Sequence, residues 1–109
     1  MQNKILSEAV LFRLKTIHKL SQDYNRKLKK NHRKRLMTLM KEHVDEIDEL
    51  CQEDNPHYLT ETGDLIILCM ELLLEEGISI DTILEKCFSR YEKKLPYLIK
   101  NVKPDDCFH

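Results

Sequence analysis

Apolar residues recur along this chain at helical spacing, with no alternation in the period of two that marks a strand. Leu6, Val10, Ile17, Leu20, Tyr24 and Leu28 share one face of a first predicted helix over about residues 4–29, and Arg13 falls in the middle of that face. Leu36, Leu39, Met40, Val44, Ile47 and Leu50 form the stripe of a second, over about residues 31–53. The run EDNPH then reads as a turn, in which Asp54 or Asn55 can cap and Pro56 suits the first helical position. The third predicted helix carries Leu65, Ile66, Ile67, Leu68, Cys69, Met70, Leu72, Leu73 and Leu74, so it is apolar almost all the way round. It reaches about Glu76, and Gly77 suits a C-terminal stop. Ser79 can cap a fourth, SIDTILEKCFSRYEKKL, which is expected to run to about Leu95 and end against Pro96. Residues 97–109 read as a loosely held tail.

Two glycines and three prolines leave little room for anything but helices, so the predicted class is all-α, a single domain over residues 1–109. One neighbour does not satisfy a helix as apolar as the third. One face is expected to pack within the chain and the other against a second copy, giving a helical bundle completed by dimerisation.

The net charge of −1 gives no global pull toward nucleic acid or a membrane surface. The basic run RKLKKNHRKR lies at a helix–helix joint and is offset by nearby acids, which reads as a solvated connector and not a nucleic-acid surface. No apolar stretch reaches the ~18 residues of a membrane-spanning helix, and the N-terminus lacks the apolar core and cleavage site of a signal peptide. Cys51, Cys69, Cys87 and Cys107 form no CxxC pair and read as reduced, mostly buried thiols of a cytoplasmic protein.

The candidate chemistry lies in the acids. Glu61 and Asp64 are three residues apart at the start of the third helix, and therefore point the same way. The helix macrodipole alone accounts for acids there, at ~0.3–1 kcal/mol each. A second acidic group in LMKEHVDEIDELCQE supplies Glu42, Asp45, Glu46, Asp48, Glu49 and Glu53. Two antiparallel helices would bring the groups together. Converging carboxylates are costly unless a cation neutralises them, and Mg²⁺ prefers oxygen ligands.

The order of acidic helix, short turn, ETGD helix and basic helix resembles the MazG-type all-α nucleoside triphosphate pyrophosphohydrolases, whose superfamily also holds the dimeric dUTPases and HisE. The resemblance covers about residues 36–96. ETGD matches the family's E-x-x-D through Glu61 and Asp64, and EKCFSRYEKK resembles its basic segment, with Lys86 and Arg90 at phosphate-facing positions. The E-x-x-D motif is preceded in the family by E-E-x-x-E, which this chain meets in either of two registers. EHVDE aligns Glu42, His43 and Glu46 and puts a histidine where the family has a glutamate; DEIDE aligns Asp45, Glu46 and Glu49. Periodicity favours the first, because His43 lies mid-stripe; Mg²⁺ chemistry favours the second. Glu46 is common to both.

The resemblance implies a four-helix MazG-like bundle, assembled as a homodimer or homotetramer. It implies Mg²⁺-dependent hydrolysis of a nucleoside triphosphate between the α and β phosphates. Glu46, Glu61 and Asp64 would be the catalytic ligands, with His43 or Glu49 completing the metal site. Mn²⁺ is the alternative ion if His43 is a ligand. Lys86 and Arg90 would bind the substrate phosphates. Their plain alternative is a solvated helix flank, and that of His43 is a core histidine bonded to a neighbour. Arg13 is expected to pair with the acidic group. The competing reading for the whole chain is a MazG-like helical scaffold or regulatory module without hydrolase activity.

Overall fold

A computed structural model describes residues 4–103 as four helices: α1 (Glu8–Lys27), α2 (His32–Gln52), α3 (Tyr58–Glu75) and α4 (Ile80–Lys100). No strand occurs among the described residues. Local sequence signals account for most of the boundaries. Ser7, Asn31 and Ser79 each cap a helix, accepting from the backbone N–H of Val10 at 3.1 Å, Lys34 at 2.9 Å and Thr82 at 3.3 Å. Asn55 caps less directly: its side chain accepts the His57 N–H at 3.0 Å, and α3 begins at Tyr58, two residues beyond Pro56.

The first three helices end alike. At each, the residue just past the cap is left-handed: Lys29 at φ 56°, Asp54 at φ 55° and Gly77 at φ 69°. Paired backbone bonds close each end: Lys30 N–H to Asn25 O and Lys29 N–H to Arg26 O, Asn55 to Leu50 and Asp54 to Cys51, Ile78 to Leu73 and Gly77 to Leu74. This is the Schellman arrangement, and only at Gly77 does it use glycine.

α2 and α3 form an antiparallel hairpin. His32 and Arg33 at the start of α2 meet Glu75 and Glu76 at the end of α3, and His43 further along α2 meets Glu61 near the start of α3. α1 lies against the C-terminal half of α3, bringing His18 to Glu71 and Gln22 to Glu75. Ahead of α1, the backbone N–H groups of Ile5 and Leu6 both donate to Asp81 in the first turn of α4, at 2.8 and 2.9 Å.

Three expectations change. First, α1 presents a different face to the body. Val10, Ile17, Leu20, Tyr24 and Leu28 are exposed, while Leu14 and Asn25 are buried and His18 nearly so. The stripe Leu14, His18, Ser21, Asn25 faces inward, because His18 finds partners on α3 and Asn25 one on α2. Arg13 is exposed and makes no ion pair among the described residues, so it does not pair with the acids. Second, α4 runs straight through Pro96 to Lys100. Every described residue from Arg90 onward is exposed, so the proline ring meets no packed neighbour and its lost hydrogen bond frees a carbonyl to water. The first part of the expected tail is therefore helix; residues 104–109, with Cys107, lie outside the described residues. Third, Cys51 and Cys69 are exposed and Cys87 half-buried, so the thiols are not mostly buried. Cys69 lines a shallow apolar groove with Met37, Met40, Val44 and Leu65, where partial burial pushes its thiol above the usual range.

The buried apolar core of the described chain consists of Leu14, Leu36, Leu68 and Ile80. The radius of gyration is 17.5 Å, against about 13 Å for a compact domain of this length. The molecule is thus a somewhat extended four-helix protein. No described helix is long and apolar enough to cross a membrane.

Candidate functional site

The hairpin brings residues from the middle of α2 beside the first turns of α3. His43 is fixed by its own helix: its Nδ1 lies 2.8 Å from the Leu39 carbonyl oxygen. A carbonyl only accepts, so Nδ1 carries the proton and Nε2 is the atom turned outward. Nε2 lies 3.4 Å from Glu61 Oε2 and 4.0 Å from Asp64 Oδ2. Ligand atoms of His43, Glu61 and Asp64 all fall within 4.8 Å of one another. The His43 and Glu61 side chains are mostly buried, while Asp64 is half open to solvent.

Glu46, one turn beyond His43 and itself exposed, reaches the same place. A hydrogen bond shared with Glu61, together with the charge of that carboxylate, pushes the Glu46 carboxyl above its usual range. Two neighbouring carboxylates and an imidazole nitrogen with a free lone pair are all electron-rich. A proton or a cation between them is what makes such a grouping affordable.

The structure thus gathers His43, Glu46, Glu61 and Asp64. Glu49 is exposed and stands outside the group, acting on Glu46 only through its charge. Lys86 and Arg90 are exposed on α4, and neither pairs with an acid among the described residues; the Arg90 guanidinium lies over the Tyr91 ring at 5.3 Å. α4 makes no contact with α2 and only a light one with α3, so within one chain these cations are not brought to the carboxylates.

His57 also belongs here, and its role was not anticipated from the sequence. Its Nε2 lies 3.4 Å from the other Glu61 oxygen, Oε1. The signal was present as a four-residue separation from Glu61, masked by the position of His57 in a turn. The basic connector forms the α1–α2 joint, where Arg26 pairs with Asp23 and Arg33 with Glu76. Comparison with protein-family models, with curated proteins and with solved structures finds no match to this chain.

Proposed function

We propose that the chain is a divalent-metal-dependent nucleoside triphosphate pyrophosphohydrolase, cleaving between the α and β phosphates to give a monophosphate and pyrophosphate. The supporting observation is the convergence of His43, Glu46, Glu61 and Asp64 across the α2–α3 hairpin. The reaction and substrate class rest on the resemblance of the ETGD helix and the segments around it to the MazG-type enzymes.

The donor set suits a divalent ion. Three carboxylates and an imidazole with its outward lone pair accept a cation, and the nitrogen shifts preference from Mg²⁺ toward Mn²⁺. When bound, such an ion polarises a phosphoryl oxygen and acidifies a water. The chain's own residues do the rest. Glu61 and Asp64 hold charge opposite the ion, and the Leu39 carbonyl keeps His43 in the tautomer that presents Nε2. Glu46, exposed at the edge of the group, is the carboxylate placed to take up the proton of an attacking water.

Lys86 and Arg90 can serve the phosphates only if α4 of one chain reaches the carboxylates of another. A homodimer or homotetramer would provide that. The thin core and the exposed apolar face of α1, with Phe12, Leu20 and Tyr24, support such an assembly.

Pyrophosphate release from a panel of nucleoside triphosphates, with Mg²⁺ or Mn²⁺, tests the reading. The native chain is expected to be active, and Glu61→Gln to lose at least about a hundredfold. The scaffold reading draws on one observation, the imidazole in place of a carboxylate. It is preferred if no nucleotide is cut and neither ion shifts the melting temperature.

A further inference from the structure

A second polar cluster lies where α1, α2 and α3 meet. Its members are His18 on α1, His32 at the start of α2, and Glu71 on α3. The Glu71 side chain is only 4% exposed, and the two histidine side chains are nearly as enclosed. Three buried atoms there, His18 Nδ1, His32 Nε2 and Glu71 Oε1, have no hydrogen-bond partner. Ligand atoms of the three residues lie within 4.8 Å of one another. Of the six buried residues described, the two polar ones, Asn25 and Glu71, both belong to this spot.

The distances separate two explanations. A charge-assisted hydrogen bond would draw nitrogen and oxygen to about 2.7–2.9 Å. His18 Nδ1 and Glu71 Oε1 stand 3.6 Å apart. Two ligands of one tetrahedral zinc ion, each about 2.0–2.2 Å from the metal, stand about 3.3–3.6 Å apart. The spacing therefore suits a bridging ion better than a shared proton.

The outer partners fit as well. A ligating histidine usually has its second nitrogen engaged by a carboxylate or carbonyl. His18 Nε2 lies 3.2 Å from Glu75 Oε2, which Gln22 Nε2 holds at 2.8 Å. His32 Nδ1 lies 2.8 Å from the Asn25 amide. With a metal on Nε2, His32 Nδ1 carries the proton, so Asn25 presents its oxygen, the reverse of the orientation in the structure; the two orientations have the same shape. The rings of His18 and His32 meet at 60° with centroids 5.2 Å apart, so both can address one point from different sides.

We propose that His18, His32 and Glu71 form a transition-metal site, selective for Zn²⁺ over Mg²⁺, that pins α1 to the α2–α3 hairpin. Two imidazoles and one carboxylate are zinc chemistry, and the enclosure is that of a structural site. The site is independent of the proposed hydrolase activity. Glu71 is ten residues from Glu61, about 15 Å along α3, so the two clusters cannot share an ion.

The test uses the full chain after chelation, with Zn²⁺ or Co²⁺ alone as the probe. The His43→Gln/Glu61→Gln chain, in which the other cluster is disabled, is expected to bind one Zn²⁺ per chain and to melt at higher temperature with it. Co²⁺ in the same chain is expected to give the intense visible absorption of a tetrahedral site. Adding Glu71→Gln is expected to abolish that absorption and weaken Zn²⁺ binding at least about a hundredfold. The metal-free Glu71→Gln chain is expected to be no less stable than its parent, because a buried, unpartnered carboxylate has been removed. No zinc bound by the His43→Gln/Glu61→Gln chain would overturn the proposal, as would binding that survives Glu71→Gln. If Glu71→Gln does not fold, the stoichiometry and cobalt spectrum of the parent chain decide alone.

Discussion

At the scale of the residue, the Glu46–Glu61 pair carries a pH signature. The neighbouring carboxylate raises the proton affinity of Glu46 in the folded chain above that of the unfolded chain. The folded state then binds more protons, so this pair's contribution to stability falls as pH rises from the ordinary carboxylate range through the raised value. Glu46→Gln is expected to flatten that fall and to make the metal-free chain more stable at neutral pH. Urea midpoints between pH 4 and 7 measure both; an unchanged profile would remove the repulsion from the account. Glu61 and Asp64 were legible in the sequence because a three-residue separation on a helix fixes a shared side whatever the tertiary structure. Glu46 was legible because both registers contained it. The choice between His43 and Glu49 needed coordinates, since only the crossing of α2 and α3 decides which of them faces Glu61. His18, His32 and Glu71 were illegible: they come from three helices and no local spacing links them.

At the scale of the element, the starts and stops followed local chemistry, and the exceptions have identifiable causes. Caps at Ser7, Asn31 and Ser79 need only the next three residues. Pro96 misled because the penalty for an internal proline is a bias, and α4 has nothing packed against it there to turn that bias into a break. The left-handed ends of α1 and α2 went unread because neither carries glycine. Lys29 pays a steric penalty that glycine would avoid, whereas Asp54 is better suited to that conformation. Lys29→Gly is expected to stabilise the chain by about 1 kcal/mol. Chemical denaturation checks this, and a loss of stability would mean that the Lys29 side chain does more than occupy a strained position. The face of α1 was misread for a different reason. Hydrophobic periodicity identifies an apolar stripe, not what covers it, and here the mixed stripe of Leu14, His18 and Asn25 turns inward instead.

At the scale of the whole molecule, a chain with four buried apolar residues among those described and an extended outline has unused apolar surface on α1, α3 and α4. Phe12, Leu20, Ile66, Phe88 and Tyr91 are all exposed. Association of copies would bury them and would couple stability to protein concentration. The expected result is a dimer or tetramer by sedimentation, with a melting temperature that falls on dilution. For a dimer, each tenfold dilution would lower stability by about 1.4 kcal/mol. A monomer whose melting is independent of concentration would rule out any arrangement in which α4 of one copy serves the carboxylates of another.

The hydrogen bonds from Ile5 and Leu6 to Asp81 close a loop of 75 to 76 residues, most of the chain. During synthesis from the N-terminus, that clasp has no partner until the start of α4 has left the ribosome. The histidine-bearing face of α1 can dock once the α2–α3 hairpin has assembled from neighbours close in sequence, but the segment ahead of α1 stays unfastened until α4 begins. The residues ahead of α1 are thus made well before the partner that secures them, and this interval is when they are most open to capture by a chaperone or by another nascent copy of the chain.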